Sequence, residues 1–156
     1  MPTAWRLVHD RHRDAAFSGE GARLYGGRWN SLGVPMIYTA ESRSLAVLET
    51  LVHLDSLEFL KRYLLFSVEI EANLVKYLDR SSLPKNWQSN LVSASSQEIG
   101  DAWAAGQSSV ALSVPSVIIP DESNFVLNPA HPDFSRLKIH KPSAFQFDPR
   151  LAKRHR

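Results

Sequence analysis

The sequence predicts an α+β fold in a single domain, and three observations carry that prediction. Short apolar or alternating runs of four to seven residues recur along the chain, as strands require. Two or three segments have helical spacing, but they do not alternate regularly with the strands, which argues against a doubly wound sheet. The 156 residues are 44% hydrophobic and 22% charged, enough for one domain with a real core.

Taken in order, Trp5-Arg6-Leu7-Val8 reads as an opening strand, followed by polar and basic residues from His9 to Asp14. Residues Ala15 to Arg28 hold four of the seven glycines and read as loop, a setting in which binding residues concentrate. Gly33 and Pro35 punctuate the chain before Met36-Ile37-Tyr38-Thr39, a buried strand. Ser42 can cap a helix running to about Leu54, with Leu45, Leu48, Leu51 and Val52 at helical spacing.

From Tyr63 to Glu71 the chain alternates, with Phe66, Val68 and Ile70 facing in and Ser67, Glu69 and Glu71 facing out. Asp79 to Ser89 reads as loop. Ser95-Ser96-Gln97-Glu98 fits a capping box that starts a helix through Trp103, ending at Gly106. Ser109–Leu112 and Val114–Ile119 read as a pair of short apolar strands, with Pro115 marking an edge, a bulge or a strand start. Asn124–Leu127 runs into the turn signal Asn128-Pro129, and Leu137–Ile139 and Phe145–Phe147 are late, short strands.

Composition excludes several kinds of chemistry. With no cysteine there are no disulfides, thiolate nucleophiles or zinc–thiolate sites, in keeping with a reducing cytosol. No apolar run is long enough to span a bilayer, and the start lacks a signal-like core, so a cytoplasmic protein without membrane attachment is expected. The formal charge of +2 is mild, and much of the excess lies in the basic end from Arg150 to Arg156, read as solvated. Direct nucleic-acid binding is not expected without an aromatic–basic pattern or a helix-turn-helix. Phosphate-binding glycine motifs, metal-ligand spacing and a nucleophile elbow are all missing.

Polar side chains punctuate the segment from Gly26 to Glu49, at Arg28, Asn30, Tyr38 and Glu49. Glu49 falls between Val52 and His53 on the helix wheel, at the border of the apolar stripe, where a carboxylate is partly desolvated unless paired. Its ordinary role there is to reach past the stripe to water, or to pair with His53 one turn on. Ser116 sits at the irregularity made by Pro115, and its ordinary role is a bond to its own backbone.

Five segments in order, Gly27-Arg28-Trp29-Asn30, Ile37-Tyr38-Thr39-Ala40, Leu45-Ala46-Val47-Leu48-Glu49, Val114-Pro115-Ser116 and Asn124 to Pro129 with His131-Pro132, closely resemble the RES domain. The resemblance spans nearly the whole chain. The family takes its name from an arginine, a glutamate and a serine, which correspond to Arg28, Glu49 and Ser116. It implies a mixed, mostly antiparallel sheet like that of the ADP-ribosyltransferases, and a bacterial toxin that consumes NAD as substrate without a prosthetic group or metal. Hydrolysis, phosphorolysis and transfer of ADP-ribose to a protein are all consistent with it, as is a non-catalytic module that only binds the nucleotide. The implied partner is an Xre-like antitoxin that occludes the active site, in a complex that can include more than one copy of the toxin.

In that chemistry Arg28 would hold a phosphate or diphosphate. Tyr38 would stack on the nicotinamide or hydrogen-bond in the pocket, and Glu49 would place negative charge beside the ribose. Ser116 would orient Glu49 or contact the nicotinamide end. Tyr25, Trp29 and Asn30 are expected as pocket lining or loop anchors.

Overall fold

The computed structural model describes residues 1–55 and 61–152; the basic end from Lys153 lies outside the described residues. Eight strands form one sheet: β1 (Thr3–His9), β2 (Ile37–Ala40), β3 (Tyr63–Glu69), β4 (Val75–Tyr77), β5 (Ala111–Pro115), β6 (Ser123–Leu127), β7 (Lys138–Ile139) and β8 (Ser143–Phe145). The order is β4-β5-β6-β2-β1-β3-β7, with β8 also on β3. Every pairing is antiparallel except β4 with β5, so the mixed, mostly antiparallel α+β expectation holds.

Side-chain alternation divides the core between the two faces of the sheet. One face gathers Ile37, Val68, Phe125 and Leu127. The other packs Leu112, Val114 and Val126 against Trp29, Met36 and Trp103. Helices α1 (Glu20–Tyr25), α2 (Arg43–Leu51) and α3 (Ala94–Gly106) complete the domain.

The sheet is uneven along its central seam. β1 runs alongside β3 over its full length, from Thr3 opposite Glu69 to His9 opposite Tyr63. Against β2 it meets only at Trp5 opposite Ala40. In the gap between β1 and β2, Arg6 donates from Nη1 to the Tyr38 carbonyl (2.9 Å) and from Nε to the Ala16 carbonyl (2.6 Å). Backbone groups that would otherwise lack partners are thereby satisfied by a side chain.

Several expectations are met. Ser42 caps α2 by accepting from the Leu45 N–H, although the helix ends at Leu51 rather than near Leu54. In β3, Phe66, Val68 and Ile70 are buried while Ser67 and Glu69 are half-exposed. Its first residues are buried on both faces because Tyr63 and Leu65 also pack against Leu7 and Phe147.

Others need correction. The segment from Ala15 to Arg28 is not all loop, because α1 occupies its middle. The glycines bound that helix instead of breaking it. Gly19 (φ +76°) precedes it, Gly26 (φ +73°) closes it through an N–H to the Ala22 carbonyl, and Glu20 pairs with Arg23 inside the turn. Polar residues 10–15 form a 3₁₀ helix capped by His9. The cap of α3 is Ser93, two residues before the expected Ser95, since the Ser93 hydroxyl is the one that accepts from the Ser96 N–H.

Val114–Ile119 is not a separate strand: β5 runs straight through to Pro115 and the chain then turns away. Pro115 is tolerated in β5 because its nitrogen faces the side where β4 has already ended, opposite Ser113.

Candidate active site

A cavity of about 850 Å³ opens where β1 and β2 diverge. Its walls are α2, the glycine loop before Trp29, and the turn after β5. Arg28, Tyr38 and Glu49 all border it.

The glycine loop is fixed by α3. Ser96 donates to the Arg28 carbonyl (2.8 Å), Gln97 donates to the carbonyls of Gly27 and Asn30, and Asp101 accepts from the backbone and hydroxyl of Ser31. Two glycines make this packing feasible. A Cβ at Gly100 would lie 1.7 Å from the Trp29 carbonyl oxygen, and one at Gly27 would lie 2.6 Å from the Tyr38 hydroxyl. Residues that present a ligand-facing side chain from so constrained a backbone are preorganised.

Arg28 sends Nη1 to the carbonyls of Trp87 (2.8 Å) and Ser89 (2.9 Å), which orients the guanidinium and leaves the other edge of its fork uncommitted. Burial lowers its pKa, and the negative charge of Glu49 opposes that shift. Among the described residues the two form no direct ion pair; they act on each other across the cavity.

Tyr38 donates from its hydroxyl to Asn30 Oδ1 (2.6 Å) and accepts from the Trp29 N–H (3.0 Å). Burial, the largest influence, raises the phenol above its ordinary pKa, so it stays neutral. With the hydroxyl occupied by the loop, Tyr38 offers a ligand its ring.

Glu49 projects from α2, half-buried, and its Oε1 accepts a 2.7 Å hydrogen bond from the Ser116 hydroxyl. Ser116 is fully buried, and its oxygen in turn accepts from the N–H groups of Ile118 and Ile119, both at 3.1 Å. The ordinary backbone bond and the functional bond therefore coexist in one hydroxyl. Of the two roles expected for Ser116, the geometry supports orientation of Glu49. Contact with a ligand is not available to it, because Pro115, Val117 and Ile118 form the cavity wall in front of it.

The remaining candidates divide. Trp29 borders the cavity but is 2% exposed, while Asn30 is wholly buried and donates to the Ala22 and Val34 carbonyls, as an anchor does. Tyr25 is 82% exposed and outside the cavity lining, so the pocket does not draw on it. His53 lies at the cavity edge, and Glu49 takes Ser116 rather than His53 as its partner.

Two lining residues had no local signal in the sequence. Arg6 is enclosed by protein, which pulls its pKa down to about 10, and it borders the cavity from the β1–β2 gap. Asn124 borders it from β6. The only hint for Arg6 was a charge within an apolar run.

Comparison with known proteins agrees with this geometry. The RES domain family matches residues 3–148. A relative from Yersinia enterocolitica named Toxin Res is 43% identical, over 94% of this chain and 97% of its own. A Sphingobium protein named Prs ADP-ribosylating toxin is 39% identical, over 96% of each chain. The crystal structure of the M. tuberculosis MbcT–MbcA toxin–antitoxin complex contains a chain of the same fold, with a TM-score of 0.75 at 22% identity, covering 96% of this chain and 86% of that one. With the arginine, glutamate and serine that give the family its name gathered around one cleft, and the match spanning nearly the full length, this chain belongs to the RES domain family.

Proposed function

We propose that this protein is a toxin that cleaves the nicotinamide–ribose bond of NAD, passing ADP-ribose to water or phosphate. The observation that carries this reading is a carboxylate, Glu49, held by a buried serine at the wall of a cavity that also presents Arg28. The uncommitted edge of Arg28 suits a diphosphate. The ring of Tyr38 suits a flat aromatic base.

In the reaction the C1′–N bond breaks and its electron pair goes to the pyridinium nitrogen. Nicotinamide then leaves as a neutral molecule, and no general acid is needed. Positive charge develops on the ribose, and Glu49 stabilises it. The acceptor oxygen bonds to C1′ and releases its proton.

Transfer of ADP-ribose to a protein is the second reading, favoured by the Sphingobium relative's name. The choice of acceptor lies outside the motif residues. A toxin of this kind works in the bacterial cytoplasm, and no helix of the described residues is long and apolar enough to cross a membrane. The neighbouring fold was solved as a toxin–antitoxin complex, which supports a cognate antitoxin, of the Xre-like type, covering the cavity.

The test is nicotinamide release from NAD by purified protein with water alone, with phosphate and with cell lysate, alongside Glu49→Ala. Release by the wild type alone is expected, and the condition that accelerates it names the acceptor. Binding of NAD without release under any condition would instead identify a non-catalytic module.

A further inference from the structure

We infer that Asn124 recognises the carboxamide of the nicotinamide ring and gives the site its preference for NAD over the deamidated, carboxylate-bearing dinucleotide. The inference rests on the reading of the cavity as an NAD site.

Asn124 lies in the middle of the sheet, opposite Ala40 of β2 and Val114 of β5. Strand alternation puts it on the same face as Val126, whose partner across β2 is Tyr38. It is 9% exposed and borders the cavity, yet its Oδ1 is shut away with no hydrogen-bond partner. Among the described residues its Nδ2 makes no hydrogen bond to protein either.

The other buried asparagines are treated differently. Asn30 donates to backbone carbonyls and accepts from Tyr38. Asn128 donates to the Ala104 carbonyl and accepts from the Ala130 N–H. An unsatisfied buried amide is destabilising, and here nothing within the protein's own fold offsets it.

The surroundings narrow what would satisfy it. Ala40, Ala46, Pro115, Val117 and Ile118 give the adjacent wall short or apolar side chains, suited to a flat ring. A single amide with both donor and acceptor free, set in an apolar wall, complements an aromatic ring that carries one amide. The next residue after Pro115 is Ser116, which holds Glu49, so this wall adjoins the carboxylate beside which the leaving ring would sit. A ring carboxylate in the same place would offer no donor to Oδ1 and would add negative charge near Glu49.

The experiment measures base release by wild type, Asn124→Ala and Asn124→Asp on three dinucleotides: NAD, its nicotinic acid form and its hypoxanthine form. The wild type should favour NAD over the nicotinic acid form by about tenfold or more in kcat/KM. Asn124→Ala should lose about tenfold on NAD and bring that ratio close to one, with the hypoxanthine ratio unchanged. Its thermal midpoint should not fall, because no protein hydrogen bond is removed. Asn124→Asp, which adds a second negative charge and removes the amide donors, should be weaker than Asn124→Ala on the nicotinic acid form.

An unchanged nicotinic acid ratio in Asn124→Ala would overturn the inference, as would a loss shared equally by all three substrates together with a lowered midpoint. Collapse of the hypoxanthine ratio instead would assign Asn124 to the adenine end and overturn it too. Those outcomes leave NAD cleavage standing. A wild type that neither binds nor cleaves any of the three would remove the NAD reading, and this inference with it.

Discussion

Ser116 donates a 2.7 Å hydrogen bond to Glu49 across 67 residues of chain, from a position with no exposed surface. Its oxygen is held in turn by the Ile118 and Ile119 N–H groups, so the direction in which the hydroxyl donates is set by the turn that follows β5. Ser116 is accordingly a positioning residue. Ser116→Ala should lower kcat by about ten- to a hundredfold, the effect of losing a hydrogen bond to a charged group, and leave KM for NAD within about twofold. Steady-state kinetics separates the two. A raised KM with unchanged kcat would mean that the hydroxyl touches the ligand.

Glu49→Gln keeps the shape of the side chain and its ability to accept from Ser116, and deletes the charge. NAD should still bind, while single-turnover nicotinamide release falls by about a thousandfold, within the range seen when one electrostatic stabiliser is removed. Activity near that of the wild type would end the electrostatic role assigned to Glu49.

Arg28 carries two duties on one guanidinium, because Nη1 holds the carbonyls of Trp87 and Ser89 while the other edge is left for a ligand. A lysine ammonium cannot reproduce that fork. Arg28→Lys should therefore behave much like Arg28→Ala, with KM for NAD raised about tenfold or more, on the order of a lost charged hydrogen bond. Titration of NAD against both variants, by calorimetry, checks this. An Arg28→Lys affinity equal to that of the wild type would remove the phosphate-holding role.

Gly100→Ala places a methyl group 1.7 Å from the Trp29 carbonyl oxygen, and neither backbone can yield without moving the loop from α3. A loss of about 3 kcal/mol or more is expected on denaturant unfolding, at the upper end for overpacked sites. Gly106→Ala, at the far end of the same helix with nothing within 4 Å, should cost little or stabilise the protein.

Much of the fold was legible from local pattern. The alternation after Phe66, the Ser42 cap and the apolar run of β2 each record their structure within a few residues, and the glycine loop announced a binding segment. What escaped depends on partners distant in sequence. β4 is three residues long and exists because β5 pairs with it. α1 is hidden by a glycine content that in fact marks its two ends. At the site, Arg28, Tyr38 and Glu49 could be picked out as polar residues threaded through one unit. Arg6 and Asn124 could not. Each reads as an ordinary strand position until the seam between β1 and β2 opens and turns it toward a cavity.

The grip of α3 on the glycine loop has a consequence for control. Ser96, Gln97 and Asp101 hold the loop through its own backbone and Ser31, so its order is supplied by the folded chain and not by a bound nucleotide. A ligand arriving at such a site gives up little of its binding energy to ordering it, and there is correspondingly little population of a slack, inactive form for an inhibitor to select. An agent that silences this protein does so most directly by competing for the same space, and its strength should fall as NAD concentration rises.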